Sequence, residues 1–240
     1  MNKNLRGVMV AALTALWLWS GATVALAGPI AGEIVAWGGN GFGQINVPAG
    51  DDFVAVSAGI AHGLALRSDG SLVAWGLNSD GQIIVPAGND YVAIAGGGLH
   101  SLALRSNGSL VGWGSKSRGQ INVPAGNDYI AIAGGGMNFS LALRTNGSIA
   151  AWGNNDFGAL NVPAGNLFVA IAAGGGHGLA LRSDGTLAGW GLNVSGQINV
   201  PAGTDYVAIS GGSSFSLALR SNGTIAGWGV LPVDPAVPGS

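Results

Sequence analysis

Residues 64–76 read Leu-Ala-Leu-Arg-Ser-Asp-Gly-Ser-Leu-Val-Ala-Trp-Gly, and this stretch decides the fold. Two runs of strand-forming residues flank Asp69-Gly70, a dipeptide that supplies the positive φ angles of a two-residue type I′ hairpin turn. The turn recurs at Asn107-Gly108, Asn146-Gly147, Asp184-Gly185 and Asn222-Gly223, in steps of 38, 39, 38 and 38 residues. Tryptophan keeps step with it at Trp37, Trp75, Trp113, Trp152, Trp190 and Trp228. A period near 40 with several short strands per unit predicts an all-β repeat architecture, a β-propeller before a solenoid.

Working outward, each unit holds four candidate strands, as in Ser71–Gly76, Gln82–Pro86, Tyr91–Ala95 and Ser101–Arg105. Proline at Pro48, Pro86, Pro124, Pro163 and Pro201 cannot donate to a ladder, which makes the second segment an edge strand. Units near 33–70, 71–108, 109–147, 148–185 and 186–223 then give about five four-stranded blades. A closing strand at 224–229 is left over. Pairing of the N-terminal strand Glu33–Trp37 with the last blade would close the ring; a six-bladed ring with one incomplete blade is the alternative. Repeat three carries a one-residue insertion between Tyr129 and Leu141. Residues 231–240, with three prolines, read as an extended tail.

Composition supports this reading. Of 240 residues, 45 are glycine and only 8% are charged; cysteine is absent and Glu33 is the single glutamate. The glycines fall at the same points of each unit and so mark turns. Residues 1–27 are of another kind: Lys3 and Arg6 precede the apolar run Val8–Trp19, and Ala25-Leu26-Ala27 is a small-x-small cleavage site. The expectation is a cleavable signal peptide, hence a secreted or periplasmic protein with a propeller over 28–230. An uncleaved leader would instead be a membrane anchor. Cleavage leaves seven basic against eleven acidic residues, a net charge of −4. That balance gives no footprint for nucleic acid.

The motif Trp75-Gly76, Asn78, Gly81-Gln82, Gly96-Gly97, His100-Ser101-Leu102-Ala103-Leu104 and Asn107-Gly108 is similar to the regulator of chromosome condensation repeat, over Glu33–Gly229. The Val-Pro-Ala that follows Gly-Gln resembles exported bacterial members, the propeller-type β-lactamase inhibitor among them. The resemblance implies a propeller, commonly of seven blades, and, through the inhibitor, a protein that blocks an extracellular enzyme. The wedge and surface of a nuclear exchange factor have no counterpart here.

Strand parity sorts the loops. The glycine turn before the His-Ser-Leu-Ala-Leu run and the loop after Trp-Gly share one end of each blade; the Asp-Gly hairpins and Pro-Ala-Gly links share the other. The second end is uniform between units and the first differs in every unit, as a recognition surface can. Its candidate partner-binding residues are Asn40, Phe42, Ile60, Leu77, Asn78, Asp80, Leu99, Lys116, Arg118, Met137, Asn138, Asn154, Asn155, Asp156, Phe157, Leu192, Asn193, Val194, Ser213 and Ser214. Rings among small polar residues are recognition chemistry.

His62, His100 and His177 share one repeat position, which Phe139 and Phe215 hold in the other units. Equivalent positions lie in different blades and phenylalanine replaces histidine, so they read as structural and not as a zinc site. The tryptophans read as periodic packing. Arg67, Arg105, Arg144, Arg182 and Arg220 recur before the hairpin turn, and an ion-pair ladder with Asp52, Asp90, Asp128 and Asp205 is expected. Neither a nucleophile motif, a phosphate loop nor a glutamate pair is present, so no catalytic residue, metal or small-molecule cofactor is expected. The expected function is an exported, non-enzymatic module binding an extracellular or periplasmic protein. The alternatives are an inhibitor of an extracellular enzyme such as a β-lactamase, a hidden hydrolase or lyase, and a structural envelope component.

Overall fold

The computed structural model describes residues 31–231. The expected leader and nearly all of the tail lie outside the described residues. Strands β1–β3 are Phe53–Ala58, His62–Arg67 and Leu72–Gly76, and β4–β6 are Tyr91–Gly96, His100–Arg105 and Leu110–Gly114. Then come β7–β9 (Tyr129–Gly134, Phe139–Arg144, Ile149–Gly153), β10–β12 (Phe168–Ala173, His177–Arg182, Leu187–Gly191) and β13–β15 (Tyr206–Gly211, Phe215–Arg220, Ile225–Gly229). Each triplet is one antiparallel meander, which gives five three-stranded sheets in chain order. The alternating Leu-Ala-Leu of the middle strands puts apolar side chains on both faces, and β2, β5, β8 and β11 are buried up to their terminal arginine, while β14 in the last sheet is only partly so.

Two expectations require correction. The expected fourth strand is a turn: Ile84 N–H donates to Gly81 C=O at 3.0 Å and Val85 N–H to Ile83 C=O at 3.1 Å. Gly81 sits at φ +83°, and the Gln82 amide oxygen turns back to accept from Asp80 N–H at 2.9 Å. With its amides bonded locally and Pro86 lacking one, the segment has no donors for a ladder. The hairpin is also not type I′. Gly70 N–H donates to Arg67 C=O at 3.0 Å, and of the pair only Gly70 has positive φ, +82°. This is a type I turn with a glycine bulge, completed by Asp69 Oδ1 accepting from Ser71 N–H and Oγ–H at 2.9 and 2.7 Å. The insertion in repeat three is absorbed at Asn138, the one described non-glycine residue with positive φ, +62°. Asparagine tolerates that conformation better than other side chains.

The core lies between successive sheets. First strands adjoin first strands, and the middle strand of each sheet packs on the first strand of the next. Tryptophan completes each joint: Trp113 packs with Leu64 and Leu66, Trp152 with Leu102 and Leu104, Trp190 with Phe139 and Leu141, and Trp228 with Leu179 and Leu181. Every one belongs to the sheet that follows its partners. The indole Nε1–H also pins the connecting loop, donating to the carbonyl of Gln44, Gln82, Gln120, Ala159 or Gln197 at 2.8–2.9 Å.

The terminal strand pairing expected for closure is not among the pairings of the described residues. Residues 33–37 form no strand; a single bridge joins Gly32 to Phe53, and Trp37 is 77% exposed instead of packed. Among the described residues no sheet precedes it for its ring to cover.

Candidate recognition face

Five hydrogen bonds fix which loops share an end. Leu77 N–H donates to Ala61 C=O, Ser115 to Leu99, Asn154 to Asn138, Leu192 to Gly176 and Val230 to Ser214, at 2.8–3.0 Å. The turn between first and middle strands is thereby tied, in every sheet, to the loop after Trp-Gly. At the opposite end Ser68 N–H reaches Asp52 C=O at 2.8 Å and Tyr91 N–H reaches Gly70 C=O at 3.2 Å, so hairpins and connecting links meet there.

Within the loop after Trp-Gly the residues divide into two groups. Asn40, Asn78, Asn155 and Asn193 turn their side-chain oxygens inward to accept from Ile45, Ile83, Leu160 and Ile198 N–H at 2.8–3.4 Å. Gln82, Gln120 and Gln197, fully buried, brace the same loops from below. These asparagines are scaffold, and the Nδ2 amides of Asn40, Asn155 and Asn193 donate within the loop to Asn46, Asn161 and Asn199 Oδ1. Leu77, Leu99, Asn138, Asn154, Leu192 and Ser214 are only half exposed. The outward group is Phe42 (59% exposed), Asp80, Lys116, Arg118, Asp156, Phe157 (46%) and Val194 (83%), with Ile60, Met137 and Ser213 beside them. Buried braces under unlike tips make a stiff platform, which limits the ordering entropy lost on binding. Arg118 and Asp156, from neighbouring loops, form a 3.2 Å ion pair across the face. That pair neutralises Arg118, one of the two basic residues of the Lys116–Arg118 loop.

The residues read as structural have definite partners. His62, His100 and His177 Nε2 lie 3.0, 2.9 and 2.9 Å from Ser101, Ser140 and Ser216 Oγ, always on the next sheet. Burial drives the pKa of all three down to about 4. No group of three or more potential ligands that could hold a metal ion exists among the described residues. The arginine–aspartate ladder is present in four sheets at 2.6–2.7 Å, each guanidinium also lying over an aromatic ring. Arg182 faces Leu167 where the others face aspartate, and bonds Thr186 Oγ1 and Leu187 C=O.

One surface escaped sequence reasoning. Val92, Ile130 and Val169 are about half exposed, each at the register shift between a first and a middle strand. The bulge there breaks the two-residue alternation from which burial is read, and no turn residue signals it.

Comparison with known proteins agrees with this geometry. A family model described as regulator of chromosome condensation (RCC1) repeat matches residues 53–82, 91–120, 129–159 and 168–197. No curated protein sequence matches the chain. Among solved structures, the ectodomain of the Physcomitrella patens receptor kinase CR4 is 24% identical with a TM-score of 0.67, covering 78% of this chain and 54% of that one. Prp20p from Saccharomyces cerevisiae is 22% identical, TM-score 0.64, covering 74% and 58%; human WBSCR16 is 21% identical, TM-score 0.61, covering 74% and 61%. The chain thus spans between half and two thirds of these structures' lengths.

Proposed function

We propose a function from one premise: this chain belongs to the regulator of chromosome condensation (RCC1) repeat family. It is a non-catalytic binding module that recognises a protein through the loops after Trp-Gly. The observation that carries the reading is the split within those loops. Asparagine and glutamine hold one backbone shape in nearly every unit, while the residue before the loop glycine changes from Phe42 to Asp80, Arg118, Phe157 and Ser195, with Val194 exposed beside the last. Turn chemistry alone would favour like residues at like positions; a surface shaped for one partner has no such constraint. Exposed rings and a valine beside a paired charge suit a protein surface, and the charge is too small for nucleic acid. Prp20p, one of the similar structures, is described with its binding properties to Gsp1p and histones, in keeping with the family's use as a protein-binding scaffold.

The module acts outside the cytoplasm, on the reading of residues 1–27 as a cleaved export signal. Mass measurement of the protein recovered from its source tests this: a new N-terminus at Gly28 is expected, and an intact Met1 would refute cleavage. Affinity capture from source-organism lysate and medium tests the face. A protein retained by the wild-type chain and lost on changing the exposed tips is the expected result, and retention by the altered chain would refute it.

A further inference from the structure

The four joints between sheets obey a pairing rule. Where one sheet has histidine at the start of its middle strand, the next has serine one position later in its own: His62 with Ser101, His100 with Ser140, His177 with Ser216. Where the first has phenylalanine the next has glycine: Phe139 precedes Gly178. The exchange is steric. A Cβ at Gly178 would overlap the Trp190 ring, which leans over the glycine, and Phe139 joins Trp190 and Ala159 in one core cluster. Phe139 is accordingly 0% exposed and Trp190 4%.

The two outer sheets carry the halves of a fifth joint of the phenylalanine kind. Phe215 opens the last middle strand and is only half buried. Gly63 follows His62 in the first sheet, and the Trp75 ring leans over it as Trp190 leans over Gly178. Trp75 remains only partly buried, and among the described residues no sheet precedes it. Backbone groups match as well. The amides of Ile60, Gly98, Gly136 and Gly175 donate across the four joints to Gly97, Gly135, Gly174 and Gly212 C=O at 3.0–3.3 Å. The next donor in that series is Ser213 N–H, and the corresponding acceptor on the first sheet is Gly59 C=O.

We propose that the last sheet of one copy of this chain docks on the first sheet of a second copy, repeating the internal joint head to tail. A second copy, and not the same chain, is the occupant. The groove of about 1200 Å³ beside the first sheet is lined by residues 31–75 alone, and Phe215 stays half exposed within the same molecule. Among the described residues the last sheet packs on the fourth, through β13 against β10 and β11, and not on the first; a heterologous contact satisfies both outer faces without bending any internal joint. Residues 34–38 repeat the pattern of β15, and 34–37 line that groove beside the first sheet. Among the described residues only the Gly32–Phe53 bridge pairs that segment's backbone, so docking displaces it.

The chain has no cysteine, so engineered thiols report contacts cleanly. Ser57 Oγ accepts from Gly96 N–H at 3.0 Å across the first joint, and the equivalent positions at the new joint are Ser210 and Ala58. Light scattering of the full chain should show a mass above one chain that grows with concentration. Mixing the Ser210→Cys and Ala58→Cys chains should yield a disulfide-linked pair. Phe215→Glu should weaken association by about a hundredfold while the melting curve of the monomer persists. Monomeric mass at every concentration, no cross-link in the mixture, or a cross-link formed only within a chain carrying both thiols would overturn the proposal. The last of these would mean closure within one molecule. Phe215→Tyr, which keeps a ring at the joint, separates loss of association from loss of folding: it should restore association.

Discussion

His100 Nε2 lies 2.9 Å from Ser140 Oγ on the neighbouring sheet, and Ser140 Oγ–H in turn donates to Gln120 C=O at 2.9 Å. The serine proton is thereby committed, so histidine must be the donor, through Nε2–H. Its Nδ1 is left unprotonated, buried and without a partner. Protonation there would bury a charged N–H with no acceptor, which is why burial holds the pKa near 4 and below the usual 6.5. Unfolded histidine takes up a proton below pH 6.5 and the folded one does not until about pH 4. Stability is therefore flat above pH 6.5 and falls as pH drops toward 4, with a slope of up to about 1.4 kcal/mol per pH unit for each of His62, His100 and His177. Urea midpoints measured at pH 7.5, 6, 5 and 4.5 should decline in that window; a midpoint independent of pH would contradict the buried neutral state.

The pairing rule predicts coupling. His100→Phe alone leaves Ser140 facing a phenyl ring, and Ser140→Gly alone leaves His100 without an acceptor; each should cost about 1–3 kcal/mol. Combined, they recreate the Phe139–Gly178 joint, and the double variant should be more stable than the sum of the singles by about 1–2 kcal/mol. It should also lose one third of the acid sensitivity. Strict additivity in a double-mutant cycle would show that the residues do not meet as a pair.

Gly147 and Gly223 occupy the same turn position, at φ +78° and +85°. A Cβ at Gly147 would overlap Asn166 C=O, part of the next link's backbone, whereas one at Gly223 meets nothing. Gly223→Ala should cost only the left-handed backbone penalty, about 1 kcal/mol, and Gly147→Ala clearly more. Thermal midpoints ranked the other way would mean the hairpin does not press on the link.

Leu167 stands in the ladder where the other sheets place aspartate, and it is exposed. Leu167→Asp gives Arg182 the partner that Arg144 has in Asp128 at 2.7 Å. The gain should be about 0.5–1 kcal/mol and should shrink in high salt. No change in low salt would place the other four pairs among the ion pairs that contribute nothing.

The all-β repeat, its hairpin period and the end at which each loop lies were legible because tryptophan and the Asp/Asn-Gly turn recur in step. Three features were not. The Gln82–Pro86 segment has strand-like residues, but Gly81 and the inward Gln82 side chain fold it into a turn. Asn78 and its equivalents looked like recognition residues because they sit among varied neighbours; their use as loop braces shows only when Ile83 N–H is seen facing Asn78 Oδ1. The His–Ser and Phe–Gly alternation was present in the letters. Its meaning needed the knowledge that the first residue of a middle strand reaches the second residue of the next sheet's middle strand, about 39 residues on in the chain.

The account rests on unlike loop tips standing together on one side of the sheet array and taking hold of a protein there. Affinity capture with matched variants tests it most directly: Phe42→Ser, Phe157→Ser and Val194→Ser together on the loop face, against Val92→Ser, Ile130→Ser and Val169→Ser together on the bulges. The predicted result is a captured protein lost from the first chain, retained by the second, with both chains folded. Retention by the loop variant and loss from the bulge variant would contradict it.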